Sequence, residues 1–133
     1  MGVEVKLIHV VRNPFDNITT IFNKEPDKGL EQAIELYFAM VDTVAELKKR
    51  INGWELHEVS LESFIANPRE QLAKLCSFLR VDPSQDYLDD CASIVFSSPR
   101  KTRETLDWTP VMIQIMQKAI ANYPFLSEYS YES

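Results

Sequence analysis

Apolar positions along the chain fall into two patterns. Residues 6–11, Lys-Leu-Ile-His-Val-Val, form a short run rich in β-branched side chains. Such a run predicts a strand buried on both faces, as in a parallel sheet. Arg12-Asn13-Pro14 follows at once. Asn is a favoured N-cap and Pro a favoured first helical residue, so a helix is predicted from Pro14, with Ile18, Ile21 and Phe22 on its apolar side. Between positions 30 and 51, Leu30, Ile34, Tyr37, Val41, Val44, Leu47 and Ile51 recur at steps of three and four. That spacing predicts a long amphipathic helix with one buried stripe. Asn52-Gly53 is its predicted stop, and Trp54–Val59 reads as a second strand. Strand, helices, strand predicts a parallel pair joined by a right-handed crossover.

Beyond Val59 the pattern is helical. Asn67-Pro68 repeats the cap-plus-proline start, with Leu72, Leu75, Cys76 and Leu79 inward. Asp82-Pro83-Ser84 opens another helix, with Leu88, Cys91, Ile94 and Val95 inward. Residues 97–107 are polar and irregular. Thr109-Pro110 opens the last helix, on which Ile113, Met116 and Ile120 face in. The chain after Ser127 is expected to be loose. The predicted class is α/β, with a small parallel sheet of about two strands and about five or six helices. Parallel sheets need several strands covered on both faces, so this arrangement reads as the second part of a larger α/β fold.

The 133 residues are expected to form a single domain. Apolar residues make up 45% and charged residues 26% of the chain, values of an ordinary globular protein. The net charge of −6 argues against nucleic acid as a partner, because phosphate-backbone binding needs a basic face. No apolar run is long enough to span a bilayer, and no leader peptide is recognisable at the start. Two cysteines, Cys76 and Cys91, are too few for a disulfide framework and read as buried thiols of a reducing compartment, which points to the cytoplasm.

Two constellations carry candidate chemistry. The first is Arg12-Asn13-Pro14-Phe15-Asp16 with Thr20 eight residues beyond the arginine. It sets a guanidinium at the predicted carboxyl end of a strand, where open α/β sheets bind ligands, beside the free N–H groups of a first helical turn. A fork-shaped cation and a hydroxyl can grip one phosphate. Equally, Arg12 can pair with a carboxylate while Thr20 bonds its own helix backbone. The second is Pro99-Arg100-Lys101-Thr102-Arg103, three cations in a predicted loop of an acidic chain. Binding groups concentrate on such loops, but a solvated basic loop has the same composition. His9, His57 and Glu62 sit in or just after the strands without a partner set that defines a catalytic base. The acid pair Asp89-Asp90 lacks a third ligand, so no metal site is expected.

Taken in order, these segments resemble the sulfotransferases that use 3′-phosphoadenosine-5′-phosphosulfate (PAPS). Residues 6–16, Lys-Leu-Ile-His-Val-Val-Arg-Asn-Pro-Phe-Asp, with Thr20, are similar to the segment of that family that binds the 3′-phosphate. Val59-Ser60-Leu61-Glu62-Ser63-Phe64-Ile65-Ala66-Asn67-Pro68-Arg69 resembles its second strand and following helix. Ser97–Arg103 followed by Leu106-Asp107-Trp108 resembles the basic loop that closes over the nucleotide, and Tyr123–Tyr129 resembles its end. The resemblance implies the carboxyl-terminal half of a P-loop-like fold, with residues 1–133 as one partial domain. It implies that Arg12 and Thr20 bind the 3′-phosphate of PAPS, or of the product 3′-phosphoadenosine-5′-phosphate (PAP). It implies that Arg100 and Lys101 cover that phosphate, with Arg103 a further candidate, and that Trp108 packs the loop.

The departures are equally specific. No Lys-bearing, Gly/Ser/Thr-rich loop for the 5′-phosphosulfate is present, and no catalytic base is assignable. Leu61 stands where several members place a tyrosine against adenine, and Thr102 where cytosolic members have glycine. The implied function is the PAPS/PAP-binding portion of an enzyme that moves a sulfuryl group to a hydroxyl or amine acceptor, without a metal. The chain by itself is expected to be inactive. The alternative is a truncated, non-catalytic nucleotide-binding or interaction module. It would self-associate, or pair with an amino-terminal half, through the first strand's edge. A purely helical adaptor is a third reading and requires residues 6–11 and 54–59 not to be strands.

Overall fold

The computed structural model describes residues 2–133. Among them are two parallel strands and six α-helices. The order is β1 (Leu7–Val11), α1 (Pro14–Lys24), α2 (Leu30–Arg50), β2 (Leu56–Ser60), α3 (Leu61–Ala66), α4 (Pro68–Phe78), α5 (Gln85–Ser93) and α6 (Pro110–Ile120), with short 3-10 turns at Pro26–Lys28, Gly53–Glu55 and Thr102–Thr105. The α/β class is therefore as expected, and the helical-adaptor reading falls because both strands are present. No helix among the described residues is long and apolar enough to cross a membrane.

The contacts gather the residues into two compact units. The first holds the residues up to Val11 and Ile51–Pro99. Its strands pair in register from Leu7 opposite Leu56 to Val11 opposite Ser60. Val59, Ile65, Leu72, Cys76 and Leu88 are its buried apolar residues on β2, α3, α4 and α5. Opposite each other in the register, His9 Nδ1 lies 3.1 Å from Glu58 Oε2, a cross-strand pair of opposite polarity.

Several expectations are corrected in this unit, among them the inward placing of Leu79, which is exposed. β1 is not buried on both faces, since Ile8 and Val10 remain 45% and 57% exposed. β2 begins at Leu56 rather than Trp54. Asn52 and Glu55 close a capping box, Glu55 Oε2 accepting the Asn52 N–H at 2.7 Å, and this wraps Gly53–Glu55 into a 3-10 turn that leaves Trp54 exposed. Finally, α5 stops at Ser93, so Ile94 points out, 83% exposed. Helix α4 ends in a Schellman motif. Val81 N–H bonds the Cys76 carbonyl at 2.9 Å and Arg80 N–H bonds that of Ser77 at 3.1 Å, with Arg80 itself left-handed at φ 57°.

The second unit comprises Arg12–Arg50 and Arg100–Ser133. Phe15, Ile18, Ala33, Tyr37, Val41, Trp108, Met116, Ile120 and Leu126 form its core. On α2 the stripe is narrower than the spacing predicts, Leu47 being exposed. The chain after Ser127 is not loose but tied down. Asn13 Nδ2 donates to the Ser130 carbonyl at 2.9 Å, Tyr131 N–H donates to Gln117 Oε1 at 3.0 Å, and the Tyr131 ring meets Phe15 edge-on at 5.3 Å.

A pH dependence follows from Tyr123, whose hydroxyl donates to the Asp42 carboxylate. That hydrogen bond, with burial and the nearby negative charge, holds the neutral phenol and pushes its pKa up to about 12. Tyr37 is raised in the same direction, by burial first. A raised folded-state pKa means stability that is complete below the unfolded tyrosine value of about 10 and lost as pH climbs through the folded one. Denaturation midpoints of the wild type are therefore expected to fall more steeply than those of Tyr123→Phe between about pH 10 and 12. Parallel curves over that window would contradict the assignment.

Candidate functional site

Helix α1 is started by Asn13, which is 1% exposed. Its Oδ1 accepts the Phe15 N–H at 3.0 Å, and Pro14 occupies the first helical position. This fixes the direction in which α1 leaves Arg12. It also sets Asp16 and Thr20, four residues apart, on one helical face.

Along that face lies the guanidinium of half-buried Arg12. Nη1 donates to Thr20 Oγ1 at 3.1 Å, and Nη2 donates to Thr102 Oγ1 at 3.1 Å and to the Arg100 carbonyl at 3.0 Å. The Thr20 and Thr102 hydroxyls both donate to the Asp16 backbone carbonyl at 2.9 Å. Arg12 therefore has three neutral acceptors, one on α1 and two on the loop of its own unit. Among the described residues no carboxylate pairs with it. Thr20 does bond its own helix backbone, but the pairing of Arg12 with a carboxylate does not occur.

The Asp16 carboxylate is committed elsewhere. Its Oδ2 takes Arg103 Nη1 at 2.7 Å and its Oδ1 takes the Arg103 N–H at 2.9 Å. Both side chains are sealed from solvent, 4% and 3% exposed. The second arm of Arg103 donates to the Ser133 backbone oxygen at 2.8 Å. Arg103 thus anchors the loop with its charge cancelled in place. Thr105 Oγ1 donates to the Thr102 carbonyl at 2.7 Å and closes the 3-10 turn. Trp108 Nε1 donates to buried Thr19 Oγ1 at 3.0 Å, and its ring meets Phe15 edge-on at 5.0 Å, so Trp108 packs the loop.

The structure thus brings Arg12 and Thr20 together with the backbone of Arg100. The Arg100 and Lys101 side chains are exposed. The three cations of the loop are sorted, Arg103 inward onto a carboxylate and the other two outward. Thr102 and Asp16 are the members that sequence reasoning passed over. Their signal was only Asp16 four residues before Thr20 and a hydroxyl within the basic run. Among the described residues no group of three His, Cys, Asp or Glu side chains could hold a metal ion.

Chemically, a cation whose partners are all neutral keeps its charge uncompensated, and it sits beside further cations on a loop fixed by a buried ion pair. That arrangement favours an anion with several acceptor oxygens. A sequence model described as the sulfotransferase family matches residues 4–86, well over half of the chain, including Arg12, Asp16 and Thr20 but not the basic loop. No curated protein and no solved structure matches the chain.

Proposed function

The chain belongs to the sulfotransferase family, and from that membership we propose that its second unit binds the 3′-phosphate of PAPS, or of the product PAP, through Arg12, Thr20, Arg100 and Lys101. One observation carries the reading. Arg12 is half-buried and hydrogen-bonded on three sides, yet has only neutral acceptors. Arg103 has a positioning role here. Its pair with Asp16 fixes the turn after Lys101, which sets where the Arg100 and Lys101 side chains begin.

In a complete enzyme the donor supplies the sulfuryl group, which passes to a hydroxyl or amine acceptor. The residues of this chain grip a part of the donor remote from the transfer. Their binding energy is used to orient it for in-line attack. No Lys-bearing phosphate loop is present in the sequence, so this chain alone is proposed to bind nucleotide without transferring sulfate. A second reading, a non-catalytic interaction module, is favoured by Ile8 and Val10, exposed on a strand paired on one side among the described residues.

Calorimetric titration with PAP at low and moderate salt separates the two. The expected result is a Kd tighter than about 100 μM, or about −5.5 kcal/mol. It should weaken with salt and fall by about one to two powers of ten in Arg12→Ala, the worth of a charge-assisted hydrogen bond. Adenosine, which lacks phosphates, should not bind. A folded wild type that ignores PAP but shows a concentration-dependent mass in light scattering would favour the interaction module.

A further inference from the structure

We infer that the hydroxyl of Thr102 is a built-in competitor for the anion at Arg12, so that the basic loop keeps this site closed on itself until a phosphate displaces it. The inference rests on the reading of Arg12 as a phosphate-binding cation. A count of protons carries it.

A guanidinium only donates, and a backbone carbonyl only accepts. The Thr20 and Thr102 hydroxyls therefore act as acceptors toward Arg12, their own protons being directed to the Asp16 carbonyl at 2.9 Å or, between the two hydroxyls, across 3.3 Å. What these oxygens turn toward Arg12 is lone pairs. They lie 3.3 Å apart, and each accepts from the guanidinium at 3.1 Å. In this state neither hydroxyl has a proton to offer a phosphate.

The arm that matters is Nη2. A guanidinium presents two forks of parallel N–H groups, Nη1 with Nη2 and Nε with Nη2, and both include this nitrogen. Its two protons go to Thr102 Oγ1 and to the Arg100 carbonyl. A bidentate grip on phosphate therefore requires at least one loop contact to leave. The Arg100 carbonyl belongs to a backbone held close by the Asp16–Arg103 pair. The Thr102 hydroxyl can release Nη2 by a side-chain rotation, giving up its 2.9 Å bond to the Asp16 carbonyl, with no movement of the backbone. Thr102 is thus the group that yields, and its strength as an acceptor sets how readily the site opens.

The experiment compares wild type, Thr102→Val and Thr102→Ser, all with the Asp16–Arg103 anchor intact. Each is titrated with PAP, and the side-chain nitrogen spectrum of Arg12 is followed by NMR. Valine keeps the shape and removes the acceptor, so PAP should bind about five- to tenfold tighter, of the order of one lost competing hydrogen bond. The Arg12 Nη2 signal should shift in Thr102→Val, where that nitrogen loses one of its two acceptors. Serine should restore both wild-type values, which a purely steric role would not require. Equal or weaker PAP binding by the valine variant, or an Arg12 spectrum identical in all three, would overturn the inference. Spectra that respond as expected while none of the three proteins binds PAP would overturn the nucleotide reading, and with it the anion as the thing competed for.

Discussion

Replacing Arg103 by alanine is expected to lower the unfolding free energy of the second unit by about 3–5 kcal/mol, the penalty for breaking a buried ion pair from one side. The size follows from what remains. The Asp16 side chain, 4% exposed, would keep its charge with one backbone N–H at 2.9 Å as its only partner from the loop. The guanidinium that approached Oδ2 at 2.7 Å is lost with the side chain. Total stabilities of single domains are about 5–15 kcal/mol, so this is a large share. The loss should come from the orphaned charge rather than from the missing attraction. Asp16→Asn/Arg103→Met, which removes both charges and keeps an oxygen for the backbone N–H at position 103, is therefore expected to recover much of it. Denaturant unfolding followed by tryptophan fluorescence measures both. An Arg103→Ala loss below about 1 kcal/mol, the range of exposed pairs, would mean that the pair is solvated.

That pair also shows where sequence reading stopped. Local rules place the helix starts well, because the Asn13-Pro14 cap and the Pro68 and Pro110 starts act within three residues of themselves. The parallel pairing of the two strands follows from chain order and hydrophobic run. Trp54 was misplaced because a capping box, a side-chain device, outranks the β-propensity of an aromatic residue. The tail was misread because its partners, Asn13, Arg103 and Gln117, are distant in sequence.

In the candidate site, the meeting of Arg12 with Thr20 was legible because only the start of α1, marked by Asn13-Pro14, separates them. The roles of Arg100, Lys101 and Arg103 were not separable in the sequence. They are three like cations in four positions, and only the fold shows that one of them meets Asp16, 87 residues away along the chain. Thr102 was noted only as a departure from the family's glycine, and its contacts were not legible for the same reason, as its partners Arg12 and Asp16 lie 90 and 86 residues earlier.

Phe15→Ala is expected to be as damaging as Arg103→Ala, about 3–5 kcal/mol, and by a different route. Phe15 is 0% exposed in the first turn of α1. Its ring takes Trp108 edge-on at 5.0 Å and 78° on one side and Tyr131 at 5.3 Å and 87° on another. Each such pair adds about 0.5–1.5 kcal/mol beyond the area it buries. One side chain therefore joins α1 to the end of the basic loop and to the tail. Its removal leaves a cavity that the Trp108 ring cannot fill without breaking a bond. Trp108 is held by its Nε1 bond to Thr19 at 3.0 Å, while the backbone of Tyr131 is tied to Gln117 at 3.0 Å. The near-ultraviolet signal of Trp108 should fall and its indole proton should exchange faster, even under conditions where Phe15→Ala stays folded. Phe15→Leu, which refills most of the volume, should lose less than about 2 kcal/mol. Equal losses for the alanine and leucine variants would show that the edge-on contacts, not the filled volume, carry the stability. An alanine variant with wild-type indole exchange would show that Trp108 is held by its hydrogen bond alone.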